Sequence, residues 1–307
     1  MIRDGSNLLI DRSGDTASEA GGDPYPPIAD YGMIGDSRSV ALISRDGSID
    51  WLCWPRFDSA SLFSRLVDWK RGGYFQICPS ALYRSRRRYI GDTNVLETTF
   101  ETASGTIVLI DLMPALDEAE KATRLTPFRQ LLRRVECVAG RVEVAVHFSP
   151  RPQYGRITPS LRTKRGAIYC EDGPSVLHLH SDCPLENEGD RATARWTLSA
   201  GDTRYLALAF DDHGPAVSPH LGAEAEDEIE KSLTFWTSWS ARLTYKGPYR
   251  DVVLRSALVL KLLAYAPSGA IVAAPNRLTQ GPRTRLLTLG RPLRAFRMRA
   301  RACPHGR

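Results

Sequence analysis

Residues Ile28–Asp68 read IADYGMIGDSRSVALISRDGSIDWLCWPRFDSASLFSRLVD, and this stretch decides the fold. Ser39–Ser44 alternates around Val40 and Leu42, and Ile49–Trp54 is a second strand-like run rich in aromatic and branched residues. Between them stands Arg45-Asp46-Gly47-Ser48, whose Asp-Gly pair tolerates the positive φ of a tight hairpin turn. Alternation predicts Ile49, Trp51 and Cys53 on one face and Asp50, Leu52 and Trp54 on the other. Pro55 has no N–H to donate and ends the ladder. A loop, Arg56-Phe57-Asp58-Ser59, follows, and Ser59 or Ser61 is expected to cap a short helix through Leu62, Phe63, Leu66 and Val67.

The β pattern continues from Tyr74 to Asp211. Candidate strands such as Arg84–Ile90, Val95–Glu101, Thr106–Met113, Arg129–Val138, Arg141–Phe148, Ser175–His180 and Arg204–Phe210 are joined by turns, among them Ala139-Gly140 and Ala200-Gly201-Asp202. About a dozen strands without intervening helices predict a large antiparallel sandwich. After Gly214 the texture changes. Acids crowd the start of Glu224–Leu243, and Ile229, Leu233, Trp236, Trp239 and Leu243 form a stripe at helical spacing. Asp251–Tyr265 is apolar almost all round but too short to span a bilayer. A helix without a polar face needs cover. Nothing downstream offers it, so self-association through 251–265 is expected.

Of 41 basic residues, nine arginines lie in the last 31 positions, from Arg277 on, where there is neither lysine nor acid. Without them 32 basic residues face 35 acidic ones, so the net charge of +6 argues for no nucleic-acid partner. The six cysteines are dispersed, with no C-x-x-C, and no apolar leader opens the chain. A reducing cytoplasm and no membrane association are the expectation.

The segments I-A-D-Y-G-x-I-G-D (Ile28–Asp36), S-R-D-G-S-I-D-W-L (Ser44–Leu52) and P-R-F-D-S (Pro55–Ser59) closely resemble the N-terminal signature of bacterial glycoside hydrolase family 15, the glucoamylase and trehalase-like enzymes. Tyr249–Pro275 resembles that family's entry into its catalytic barrel. The resemblance implies a mainly β chain: a sandwich over 28–215 after a disordered arm (1–27), a linker helix (216–246), and the first helix of an incomplete (α/α)6 barrel (247–275). It implies inverting hydrolysis of α-glucosides by two glutamates, without a cofactor. Both glutamates belong to the pattern beyond Pro275, so no catalytic residue is carried over and little or no activity is expected. The Arg-rich run 276–307 reads as out-of-frame translation of a longer gene.

For a substrate contact the loop offers Trp54, Arg56 and Asp58: an aromatic ring covers the apolar face of a pyranose, and charged groups bind its hydroxyls. The plainer account makes Trp51 and Trp54 core and Arg56–Asp58 a loop-fixing ion pair, and a third has the loop dock onto a barrel. Glu97, Asp111, Glu136 and Glu143 read as solvated strand acids. His178-x-His180 has a spacing that metal sites use, but no third ligand accompanies it and no metal is expected. Asp36 and Arg38 read as polar loop residues. A non-catalytic carbohydrate-binding module is the alternative function.

Overall fold

A computed structural model describes residues 9–10, 25–116, 127, 129–172, 175–212 and 216–272. The arm over 1–27, apart from 9–10 and 25–27, and the run 276–307 lie outside them. Strands in chain order are β1 Leu9–Ile10, β2 Gly32–Gly35, β3 Val40–Ile43, β4 Ser48–Cys53, β5 Ser61–Phe63 and β6 Tyr74–Pro79. They continue with β7 Tyr83–Tyr89, β8 Leu96–Thr102, β9 Gly105–Leu112, β10 Gln130–Ser149 and β11 Leu161–Lys164. The last are β12 Ala167–Asp172, β13 Ser175–Ser181, β14 Glu186–Asn187, β15 Ala192–Ser199 and β16 Thr203–Asp211. Two helices follow, α1 Ala223–Ser240 and α2 Arg250–Leu263.

The strands form two antiparallel sheets. One runs β1-β7-β8-β9-β10-β16-β13-β12-β11. The other runs β2-β3-β4-β6-β10-β15-β14, with β5 beside the end of β4. Strand β10 belongs to both. Leu132–Gly140 pairs with β9, whereas Arg141–Phe148 pairs with β15. The expected turn at Ala139-Gly140 is instead the bend of one continuous strand. Gly140 takes φ +70° beside a bulge between Cys137 and Ala139, which lets β10 turn the corner between sheets. Ile43, Leu52, Phe63, Phe75 and Ile77 of the second sheet meet Phe100, Leu109, Leu131, Val135 and Leu208 of the first in the buried core.

The hairpin forms as read, but its faces are rearranged. Gly47 sits at φ +71°, and a Cβ there would stand 2.3 Å from the Ile77 carbonyl oxygen, so only glycine fits. A bulge opposes Leu42 to Trp51 and Ile43 to Ile49, leaving Asp50 over. Ile49 therefore joins Leu52 and Trp54 in the inter-sheet core, while Trp51 and Cys53 pack outside with Leu42 and Leu66. The expected short helix after Ser59 is strand β5, which pairs with β4 through Leu52 and Phe63.

The acids of this stretch are structural. Asp36 Oδ1 accepts the N–H groups of Arg38 and Ser39, both at 2.8 Å. Asp46 takes the Ser44 hydroxyl and the Gln76 amide. Asp111, read as solvated, is fully buried against Arg133. Strand alternation turned it inward, and only its cation makes that tolerable.

Helix α2 has found cover upstream. Leu254, Leu258 and Leu262, one turn apart, bury against the outer face of the first sheet with Leu112, Leu132 and Ala207 and with Trp236 of α1. Arg255 lies over the Tyr89 ring at 3.8 Å and donates to the Thr93 carbonyl. Val252 and Leu260 on the far side stay exposed. Leu258→Ala is expected to cost about 2–5 kcal/mol, read as a lowered urea midpoint at unchanged slope.

Candidate functional site

The signature loop leaves β4 through a cis Trp54–Pro55 peptide. Trp54 is 3% exposed and packs on Phe210 of β16 with ring centroids 6.2 Å apart. Arg56 Nε donates to Asp58 Oδ1 at 3.1 Å, with both side chains more than half exposed. The three candidate residues are thus not one constellation: the ion pair lies in solvent and the indole lies inside. Ser59 ties the loop by accepting the Arg56 N–H at 3.1 Å.

Beside Trp54 a cavity of about 400 Å³ draws its walls from both sheets. Its floor is apolar, with Leu62, Leu177 and Phe210. Its rim carries Ser59, Ser61, Gln153, Tyr154, Arg156 and Ser175. That size and mixture suit a small-molecule site. The far lip is the turn Pro152–Gly155, where Gln153 (φ 56°, ψ 46°) and Tyr154 (φ 61°, ψ 39°) are both left-handed. Two successive non-glycine residues in that region are strained, and such strain collects at ligand sites. Hydrogen bonds that hold the turn include Tyr154 N–H to Ser61 Oγ (3.1 Å), Tyr154 hydroxyl to the Ser59 carbonyl (3.4 Å) and Gly155 N–H to the Arg151 carbonyl (3.1 Å). Arg151 is itself fixed on Asp190 at 2.6 Å. Residues 153–156 carry no sequence signal beyond a Pro…Gly break, so sequence reasoning missed this half of the site.

A second polar cluster lies on the outer face of the first sheet. His178 Nε2 is 2.9 Å from Asp211 Oδ2, and His180 Nε2 is 3.0 Å from His178 Nδ1. Tyr169 stacks on His178, which is 1% exposed rather than a surface histidine. Each of these contacts needs one donor and one acceptor, so the tautomers of the two rings are coupled along the chain from Asp211 to His180. Burial, and then His178, push the pKa of His180 down to about 4. Among the described residues no group of three or more His, Cys, Asp or Glu side chains could hold a metal ion. Cys53, Cys78, Cys137, Cys170 and Cys183 are not joined in disulfides. Among the described residues no helix is long and apolar enough to cross a membrane.

A two-sheet sandwich with a signature hairpin, a cavity at its Trp-Pro loop and two helices docked outside defines the class of this chain. The sequence profile for trehalase-like N-terminal regions matches residues 20–217, and the chain belongs to that family. It is 35% identical to a trehalase of Mycolicibacterium smegmatis over 274 residues, covering 82% of this chain and 40% of that protein. It is 33% identical to a trehalase of Mycobacterium tuberculosis over 272 residues, covering 82% and 39%. A trehalase of Thermoplasma volcanium is 31% identical over 262 residues, covering 82% and 40%. The chain therefore spans about 40% of the length of these relatives.

Proposed function

We propose that this chain is the N-terminal portion of an inverting α-glucoside hydrolase of glycoside hydrolase family 15, with no hydrolase activity of its own. The observation that carries the reading is identity of 35% to a trehalase across 82% of the chain but only 40% of that enzyme. Inversion needs two carboxyl groups about 6.5–9.5 Å apart across a water-sized gap. Among the described residues, none that lines the cavity beside Trp54 carries a carboxylate. In this reading 28–215 is the sandwich, 216–246 the linker, 247–275 the start of an (α/α)6 barrel and 276–307 an aberrant tail, in a cytoplasmic protein truncated before its glutamates. Trp54, Arg56 and Asp58 form the loop that contacts the α-glucoside. The purified 307-residue chain is expected to release no glucose from trehalose, maltose or maltooligosaccharides. Measurable turnover overturns the proposal.

The cavity favours a second reading, a non-catalytic carbohydrate-binding module. Titration calorimetry with the same sugars separates the two. A binding module takes up sugar alone and loses it in Trp54→Ala, whereas an accessory sandwich gives no heat in either protein.

A further inference from the structure

Around the cavity beside Trp54, the side-chain donors of Trp54, Ser59, Ser61 and Arg156 have no acceptor among the described residues. Ser61, 0% exposed, accepts the Tyr154 N–H at Oγ, and its own O–H finds no acceptor among the described residues. Ser59 is half-buried: its Oγ accepts the Arg56 N–H, and its O–H has no acceptor among the described residues and is open to solvent or a ligand. The Trp54 Nε1–H is buried and has no partner among the described residues. The Arg156 guanidinium on the rim makes no ion pair or side-chain hydrogen bond among them either, whereas Arg56 and Arg151 nearby are both paired with aspartates. Among the described residues no carboxylate lines the cavity.

A neutral sugar presents about as many donors as acceptors and would leave this imbalance standing. An oxyanion presents acceptors alone, and its bonds to a guanidinium are charge-assisted. The apolar floor of Leu62, Leu177 and Phe210 asks in turn for a body with a carbon face, not a bare ion. We infer that this cavity binds a hexose-sized ligand carrying an oxyanion, a sugar phosphate or sugar acid, with Arg156 and the Ser59 hydroxyl on the anionic group. The site shares Trp54 with the glucoside reading above and differs from it in the ligand's charge, so the two fail separately.

The test is titration calorimetry on the full chain with glucose 6-phosphate, glucuronate, glucose and inorganic phosphate. At least one of the two anionic sugars is expected to bind with Kd below about 1 mM, and glucose and phosphate at least tenfold more weakly. Arg156→Gln removes the charge from an exposed rim position. It is expected to weaken the anionic sugar about tenfold while leaving the thermal midpoint unchanged. Trp54→Phe keeps the ring and removes the N–H, and is expected to weaken binding by a smaller factor. Four results overturn the inference: no heat with either anionic sugar, equal affinity for glucose, equal affinity for bare phosphate, or an Arg156→Gln protein that binds like the parent. Equal affinity for glucose would favour the neutral-carbohydrate reading instead.

Discussion

Replacing Arg133 with methionine is expected to remove about 3–5 kcal/mol of stability, a large share of a folding margin of about 5–15 kcal/mol. Arg133 lies in the part of β10 paired with β9 and β16, faces the core and is fully buried. Its Nε donates to Asp111 Oδ1 at 2.7 Å in the same sheet. Its Nη1 and Nη2 reach across to the carbonyls of Phe75 (2.7 Å) and Gly47 (2.6 Å) in the opposite half of the sandwich. One side chain thus ties both sheets and the hairpin turn. Methionine fills the space but strands the Asp111 carboxylate and takes the guanidinium donors from the Phe75 and Gly47 carbonyls, the second of which keeps the Ile77 N–H at 3.3 Å. Each buried acceptor left unpaired costs about 1–3 kcal/mol, and the carboxylate more, until it takes up a proton. The double change Arg133→Met with Asp111→Leu is expected to recover only part of the loss, because the ties from β10 to the Phe75 and Gly47 carbonyls stay broken. Urea titration of parent, single and double variants measures this. A single variant within about 1 kcal/mol of the parent would show that the sheets do not depend on the bridge.

That linchpin marks where sequence reading ran out. The hairpin was legible because Asp46-Gly47 imposes a backbone geometry that few residues can adopt, and glycine at φ +71° sits where it was expected. The linker stripe was legible because Ile229 and Trp236 repeat at helical spacing, and both are buried against the sheet. Periodicity misled wherever one residue breaks the count. The bulge at Asp50 moved Ile49 to the core face, and the bend at Gly140 turned two expected strands into one. A bulge leaves no signature in composition, because its cause is pairing with a strand far away in sequence. The same holds for Asp111. Beside Ile110 and Leu112 it looks like one more polar strand residue, and only the fold brings Arg133 to it. The site divides along this line. Trp54 and its loop were found through the signature, whereas Ser61 and Arg156 come to line one cavity only because β5 packs against the strained turn at Pro152–Gly155.

The response of stability to pH is expected to hide two opposing slopes between about pH 4 and pH 6.5, and single substitutions should expose each of them. Asp50, the residue left over at the bulge, is 1% exposed and accepts the Tyr31 hydroxyl (2.9 Å) and the Ser48 hydroxyl (2.6 Å). Burial, and then the nearby Asp46, raise its pKa to about 6. A carboxyl whose folded pKa lies above the unfolded value near 3.9 binds its proton more tightly when folded. Its contribution is complete below that value and is lost as pH rises through about 6, a loss of about 3 kcal/mol. His180 runs the other way. With its folded pKa held near 4, its contribution is complete above the unfolded value near 6.5 and is lost as pH falls towards 4. Because that ring is partly solvated, screening reduces the effect to about 1–2 kcal/mol. His147, lowered by burial, adds to the histidine slope, and Asp182, raised by burial, adds to the aspartate slope. The parent chain should therefore change little across the window. Asp50→Asn should gain stability steadily with rising pH, and His180→Gln should lose it. Urea midpoints at pH 4, 5, 6 and 7 give all three curves. Variants whose slopes match the parent's would mean that neither group titrates differently on folding, and that the polar arrangement around the signature hairpin is solvated after all.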